Sequence, residues 1–107
     1  MSENPLMRCL HYTEDAKRDL TGIAVHIANE SQSREVALGF TERLRAKCPH
    51  LASLSGLLGT PRPDLRADIR STPCHGYVIF FRYRDDGLEV VNVLHGSRDV
   101  IGYFAEE

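Results

Sequence analysis

The sequence predicts an α+β domain in which a helical hairpin packs on one face of a small, mostly antiparallel sheet, in the order β-α-α-β-β-β. Two long segments repeat apolar residues at helical spacing with only a few residues between them, so the helices they form must lie antiparallel. Three short stretches of β-forming residues follow, and the last two are joined by Asp85, Asp86 and Gly87, a strong turn signal. One more β-compatible stretch precedes the helices. Laying both helices across one sheet face buries its apolar side. The expectation is that the opposite face stays open for function.

Residues 1–6 (MSENPL) are polar, contain Pro5 and read as a flexible tail, leaving residues 7–107 as a single domain. With 42% apolar residues, a chain of 107 residues builds one core without disulfide or metal staples. Residues 7–12 (MRCLHY) form the first expected strand. Thr13 then caps a helix over residues 14–30, with Glu14 and Asp15 where a helix N-terminus favours negative charge. Its apolar line is Ala16, Leu20, Ile23, Ala24, Ile27 and Ala28, and Gly22 weakens it modestly.

Ser31 or Ser33 caps the second helix, whose apolar line runs Val36, Ala37, Phe40, Leu44, Cys48, Leu51 and Leu54. Pro49 lacks an N–H, and its ring collides with the carbonyl of Arg45, so a kink or a break is expected there. Residues 56–65 (GLLGTPRPDL) carry two glycines and two prolines and read as an irregular connection. Residues 65–72 alternate like a half-exposed strand, and residues 77–84 and 88–95 are two more. A two-residue turn at Asp86 and Gly87 sets Arg84 opposite Glu89, Arg82 opposite Val91 and Val78 opposite His95, whereas a three-residue turn shifts the pairing by one; the Arg84 and Glu89 match favours the first.

The net charge of −2 comes from 13 basic and 15 acidic residues interspersed along the chain, which gives no bulk support for nucleic-acid binding. Cys9, Cys48 and Cys74 are odd in number and widely spaced, which suits a reducing cytosol. No apolar run is long enough to span a membrane and no signal-peptide layout opens the chain, so the expectation is a cytoplasmic protein without membrane contact.

His95, Ser97 and Asp99 are the residue types of a hydrolase triad, but residues two apart at a strand end do not reach the required relay geometry. A strand-end histidine is more often bonded to a neighbouring backbone group than catalytic. Cys9 with His11 and Cys74 with His75 lack zinc-site spacing, so no metal and no cofactor is expected. Arg70, Arg82 and Arg98 come from different strands and turns; convergence on the helix-free face would make them anchors for phosphate or carboxylate.

The combination of YTEDAKRDL opening the first helix, PRPDL at 61–65, IRS at 69–71 and GYVIFFRYRDDGLEVVNVLHGSRD at 76–99 resembles the ParE branch of the RelE/ParE toxin superfamily. The likeness spans nearly all of residues 7–104. It implies a compact toxin of a type II toxin–antitoxin module, neutralised in a hetero-oligomer by a ParD-like antitoxin encoded beside it. Operator DNA is then reached only through the antitoxin. RelE-like members cut messenger RNA on the ribosome without metal, whereas ParE-like members are associated with poisoning DNA gyrase.

Carried over by residue, Arg70 and Arg98 match nuclease-branch arginines, and Tyr103 lies near the place of a C-terminal tyrosine. The nuclease alternative would use Arg70 and Arg98 on phosphate and His95 or Tyr103 on protons. The lysines that branch places before the meander are replaced here by Thr60, Pro61, Arg62 and Pro63. Metal-free RNA cleavage needs several positive groups and proton carriers together. The incomplete set favours a non-catalytic gyrase-targeting toxin, with Arg70, Arg82 and Arg98 as partner contacts.

Overall fold

The computed structural model describes residues 9–53, 57–85 and 87–105. The expected tail, Met7 and Arg8 of the first strand, Leu54, Gly56 and Asp86 lie outside them. The elements are β1 (Cys9–Tyr12), α1 (Glu14–Ser31), α2 (Arg34–Ser53), β2 (Thr60–Pro61), β3 (Arg70–Cys74), β4 (Tyr77–Arg84), β5 (Gly87–His95) and α3 (Val100–Ala105). The sheet order is β1-β5-β4-β3-β2, with β1 parallel to β5 and the other pairs antiparallel. This is the expected α+β fold with two added elements, β2 and α3, a later start for β3 and a different β4–β5 register.

The helical hairpin forms where the caps direct it. Thr13 Oγ1 accepts the Ala16 N–H at 3.0 Å and donates to the Val91 carbonyl at 2.7 Å, so one hydroxyl both starts α1 and fixes it to β5. Ser33 caps α2 by accepting the Val36 N–H at 3.1 Å, while the Ser31 hydroxyl turns back to the Ile27 carbonyl at 2.7 Å. Between them Gln32 takes a left-handed conformation, φ 58°.

Of the kink or break expected at Pro49, the break does not occur: α2 runs through Pro49 to Ser53. Arg45 and Pro49 are both exposed, so water can take the carbonyl that lost its partner. The following turn is held down by the buried Leu51 and Ala52.

One core lies between the helices and the sheet. Ala16, Leu20 and Ile23 of α1 and Leu44, Cys48 and Leu51 of α2 pack on Tyr77, Ile79 and Phe81 of β4 and Leu88, Val90 and Val93 of β5. Burial of this apolar area is the main stabilising contribution.

Two readings of the segment before β4 need correction. The strand expected over residues 65–72 begins at Arg70, and residues 62–69 form turns closed by Leu65 N–H and Arg66 N–H to the Arg62 carbonyl (2.9 and 3.2 Å). Leu65 and Ile69 alternate there because both turn towards the sheet from a loop. The connection expected to be irregular contains β2, whose Thr60 and Pro61 pair with Ser71 and Arg70.

The β4–β5 register also differs. Arg84 pairs with Gly87, Arg82 with Glu89 and Tyr77 with His95, and the ladder shifts between Phe80 and Phe81, where Val91 is the additional residue on β5. The strands close nearer the tip, with Asp85 at φ 55° supplying the left-handed turn residue. Near the tip this moves β5 by two positions and keeps its faces. The bulge then changes the phase, so that Val93 joins the helix-side core.

The second face of the sheet is not open. Phe80, Val91 and Leu94 are covered there by Ile69, Leu65, Val100, Tyr103 and Phe104, and Phe104 is 5% exposed. The unexpected α3 makes this cover, started by Asp99, whose Oδ1 accepts the Gly102 N–H at 3.1 Å. Arg66 and Arg62 lie over the Phe104 and Phe80 rings at 5.1 and 6.0 Å. The physical reason is in β4 itself: Tyr77, Val78, Ile79, Phe80 and Phe81 form a continuous apolar run, which needs burial on both faces.

Candidate functional site

The three arginines expected to converge are dispersed. Arg70 pairs with Phe81, so it shares the helix-side face, whereas Arg82, one residue further along β4, points to the other. Arg70 Nε donates to the Leu58 carbonyl at 2.6 Å and Nη2 to the Gly59 carbonyl at 3.2 Å, fastening the segment before β2 to the sheet. Arg82 Nε meets Glu89 Oε1 at 2.8 Å and its Nη1 lies 3.6 Å from Asp68 Oδ2, with the side chain 19% exposed. Both guanidinium groups are spent on the fold. Arg98 is exposed, with Cζ 5.0 Å from the centre of the Tyr103 ring.

Of the nuclease set, His95 and Arg98 line one pocket and Arg98 stacks on Tyr103, but Arg70 stands apart from them. Arg70 lies opposite Phe81 and His95 opposite Tyr77, four residues apart along β4 and on strands either side of it. That separation is roughly 13 Å along the strand alone, too far for one phosphate to bridge.

His95 bonds to its neighbours, as a strand-end histidine commonly does. The Ser97 N–H donates to His95 Nδ1 at 3.1 Å, and Ser97 Oγ lies 2.8 Å from the same nitrogen. Nδ1 therefore accepts, which puts the ring proton of the neutral form on Nε2. The ring stands edge-on to Tyr77 at 5.2 Å. The histidine and serine do meet, which was not expected, but Asp99 is turned away to cap α3, so it does not orient the imidazole as a triad requires.

Tyr103 belongs to a buried polar chain that the sequence did not reveal. Asn92, 2% exposed, donates through Nδ2 to Tyr103 Oη and to Asp19 Oδ2, both at 2.9 Å. Asp19 Oδ2 also accepts the Val93 N–H at 2.9 Å. This occurs where β1 has ended: Thr13 N–H takes the Val90 carbonyl at 3.0 Å, Thr13 Oγ1 takes that of Val91, and Asp19 takes the Val93 N–H. Side chains of the α1 end of the hairpin thus stand in for a strand along the edge of β5. Burial pushes the Asp19 carboxyl above the usual carboxylate range, while the Val93 and Asn92 hydrogen bonds and the Arg98 charge pull it back. A polar residue inside VVNVLH was the available signal.

The thiol of Cys48 is packed as part of the core. Cys48 is 2% exposed and its thiol is pushed up by burial, so it stays protonated beside Tyr12. Among the described residues no three His, Cys, Asp or Glu side chains are grouped to hold a metal ion, and no helix is long and apolar enough to cross a membrane.

The helical hairpin offers an interaction surface instead. A groove between α1 and α2 is walled by Leu20, Thr21 and Ala24 on one side and Leu38, Thr41 and Arg45 on the other. Leu38, more than half exposed, is part of that wall, and Val25 and Val36 are more than half exposed elsewhere on the two helices. Large apolar side chains gathered on one exposed element mark interaction surfaces.

The profile of the family described as "ParE toxin of type II toxin-antitoxin system, parDE" matches residues 10–100. The chain belongs to the ParE toxin family. Among solved structures, a chain of the chromosomal ParDE toxin–antitoxin system from P. aeruginosa superposes with a TM-score of 0.71 at 20% identity, covering 83% of this chain and 96% of that one. A chain of TrmO from P. aeruginosa aligns with a TM-score of 0.45 at 17% identity, over 88% of this chain and 36% of that one. No curated protein matches by sequence. ParE membership accounts for the helical hairpin on a meander, and the chain is a type II toxin–antitoxin toxin.

Proposed function

We propose that this ParE toxin arrests growth by binding DNA gyrase and stabilising its cleaved DNA complex, and that a ParD-like antitoxin encoded beside it holds it inactive in a hetero-oligomer. The observation that supports binding over catalysis is the dispersal of the cationic set. Arg70 and Arg82 are committed to internal bonds on opposite faces, and Asp99 caps α3 instead of orienting His95. Inhibition by binding asks for no reacting group in this chain. Of the three arginines, the exposed Arg98 is the partner contact this reading retains.

The P. aeruginosa neighbour comes from a ParDE system, which supports a ParD-like partner here. An antitoxin helix with an extended tail suits the groove between α1 and α2, with its exposed Leu38, and the exposed Val25 and Val36 of the same hairpin. A segment that folds as it binds can cover such a surface. Operator DNA is met only through the antitoxin, since the toxin's own net charge is −2. The site of action is the cytoplasm, where gyrase works.

Expression of this chain alone is expected to stop growth, and co-expression of the adjoining ParD-like reading frame to restore it, with transcript ends unchanged throughout. Codon-phased cuts in messenger RNA that disappear with Arg70→Ala would instead establish the RelE-like endoribonuclease reading.

A further inference from the structure

Beside the edge of β5 that β1 leaves uncovered, α1 and the end of β5 enclose a pocket of about 260 Å³. Its rim carries Arg18 and His26 from α1, His95 from the end of β5 and Arg98 from the turn after it, all four exposed. Asp19 also lines it; the Val93 N–H and Asn92 both donate to its Oδ2, and its carboxylate lies within reach of the Arg98 charge. Arg18 meets Asp15 at 2.8 Å on the solvent side, an exposed pair that holds it weakly. The floor is apolar, with Ile23 and Val93. Two arginines and two histidines against the one carboxylate of Asp19 thus make the rim of this small pocket basic in a chain of net charge −2, complementary to an anionic group on a partner.

A second observation is independent of charge. Gly22, in the interior of α1, lines the same pocket, and a Cβ built there meets nothing within 4 Å. Glycine within a helix is unfavourable relative to alanine, and nothing in the fold requires it at this position. What the missing side chain provides is room for another backbone to come close to α1.

We propose that this pocket receives an acidic side chain of the antitoxin, whose backbone lies against α1 at Gly22 and whose carboxylate sits between Arg98 and the two histidines. The inference rests on the reading that a ParD-like antitoxin binds this toxin. The apolar floor suits the aliphatic stem of an aspartate or glutamate, and the glycine suits a peptide backbone. A nucleic-acid backbone would use neither, and it would meet the chain's net negative charge.

The test is titration calorimetry of the full-length toxin with the purified ParD-like antitoxin from the adjoining reading frame. Gly22→Ala is expected to raise the melting temperature of the toxin alone by roughly 4 °C, yet to weaken antitoxin binding about tenfold by obstructing the approach. Arg98→Ala is expected to weaken binding about tenfold or more and to flatten its salt dependence, which a purely structural role would not do. If Arg98→Ala fails to fold, Arg18→Glu at the exposed rim supplies the same reading.

Affinities of Gly22→Ala and Arg98→Ala within about twofold of the wild type would overturn the pocket assignment and leave the toxin reading standing. Loss of gyrase or DNA engagement at unchanged antitoxin affinity would assign the pocket to the target and overturn it equally. Absence of any binding between wild-type toxin and antitoxin would remove both the pocket assignment and the reading beneath it.

Discussion

Asp19→Ala is expected to destabilise the fold by roughly 2–4 kcal/mol, because it strands two buried donors at about 1–3 kcal/mol each. Those donors are the Val93 N–H and Asn92 Nδ2, in residues 3% and 2% exposed. Removing the carboxylate also opens β5 along the stretch that β1 does not reach, which leaves an unprotected sheet edge. Urea denaturation of the variant, with a lower midpoint and an unchanged slope, would establish the loss. Asp19→Asn is the control: an amide oxygen has lone pairs for both donors, so most of the stability should return.

The same pair of proteins reports a pH effect with a defined sign. Burial raises the Asp19 carboxyl in the folded chain above its ordinary value of 3.8. The folded state therefore holds this proton to higher pH than the unfolded state does. The contribution is fully present below the unfolded carboxylate value and is lost as pH rises through the folded one. The stability difference between wild type and Asp19→Asn should accordingly move against the wild type as the buffer is raised from about pH 3 towards neutrality. A difference that is flat across that window would show that Asp19 titrates as it does in the unfolded chain.

Gly59→Ala should be at least as damaging. Gly59 sits at φ +76°, and a Cβ there would lie 2.7 Å from Phe81 Cζ and 2.8 Å from the Ser71 carbonyl oxygen. Neither neighbour can yield: Phe81 is fully buried in the helix-side core, and Ser71 is laddered to both β2 and β4. Left-handed strain contributes about 1–2 kcal/mol and overpacking about 1–3 kcal/mol. A loss of roughly 3 kcal/mol lowers the melting temperature of a domain this size by more than about 10 °C. The Arg70 clamp on the Leu58 and Gly59 carbonyls would loosen with it. Scanning calorimetry should place this variant far below the wild type.

The helical hairpin was legible because its signals are local. Thr13 and Ser33 are good caps, and the apolar line of α1 runs over enough turns to fix its buried face. The continuation of α2 through Pro49 was not legible, since it depends on Leu51 and Ala52 finding a core supplied by distant strands. α3 escapes for a related reason: six residues are too few for periodicity, and Asp99 reads as a triad member when its role is an N-cap. Residues 65–69 mimic a strand because Leu65 and Ile69 turn towards the sheet from a loop, although Ala67 between them is exposed.

The candidate site suffered most from register. Whether Arg70 and Arg82 share a face turns on the parity of one cross-strand pair, and the bulge at Val91 has no mark in the sequence VVN. The expectation of an open second face failed although β4 itself spoke against it, since five consecutive apolar residues cannot be served by one layer of helices. Gly22 reads in the sequence only as a weakness in α1, and becomes informative once its surroundings are known to be empty.

Whether this chain binds gyrase or cuts nucleic acid is decided most directly by incubating the purified full-length toxin with gyrase, ATP and relaxed plasmid, then trapping and resolving the DNA. For a toxin that acts by binding, linear DNA held in covalent complex with gyrase accumulates with toxin dose, and antitoxin abolishes it. Unimpaired supercoiling with no cleaved complex at any toxin concentration would contradict that mode of action.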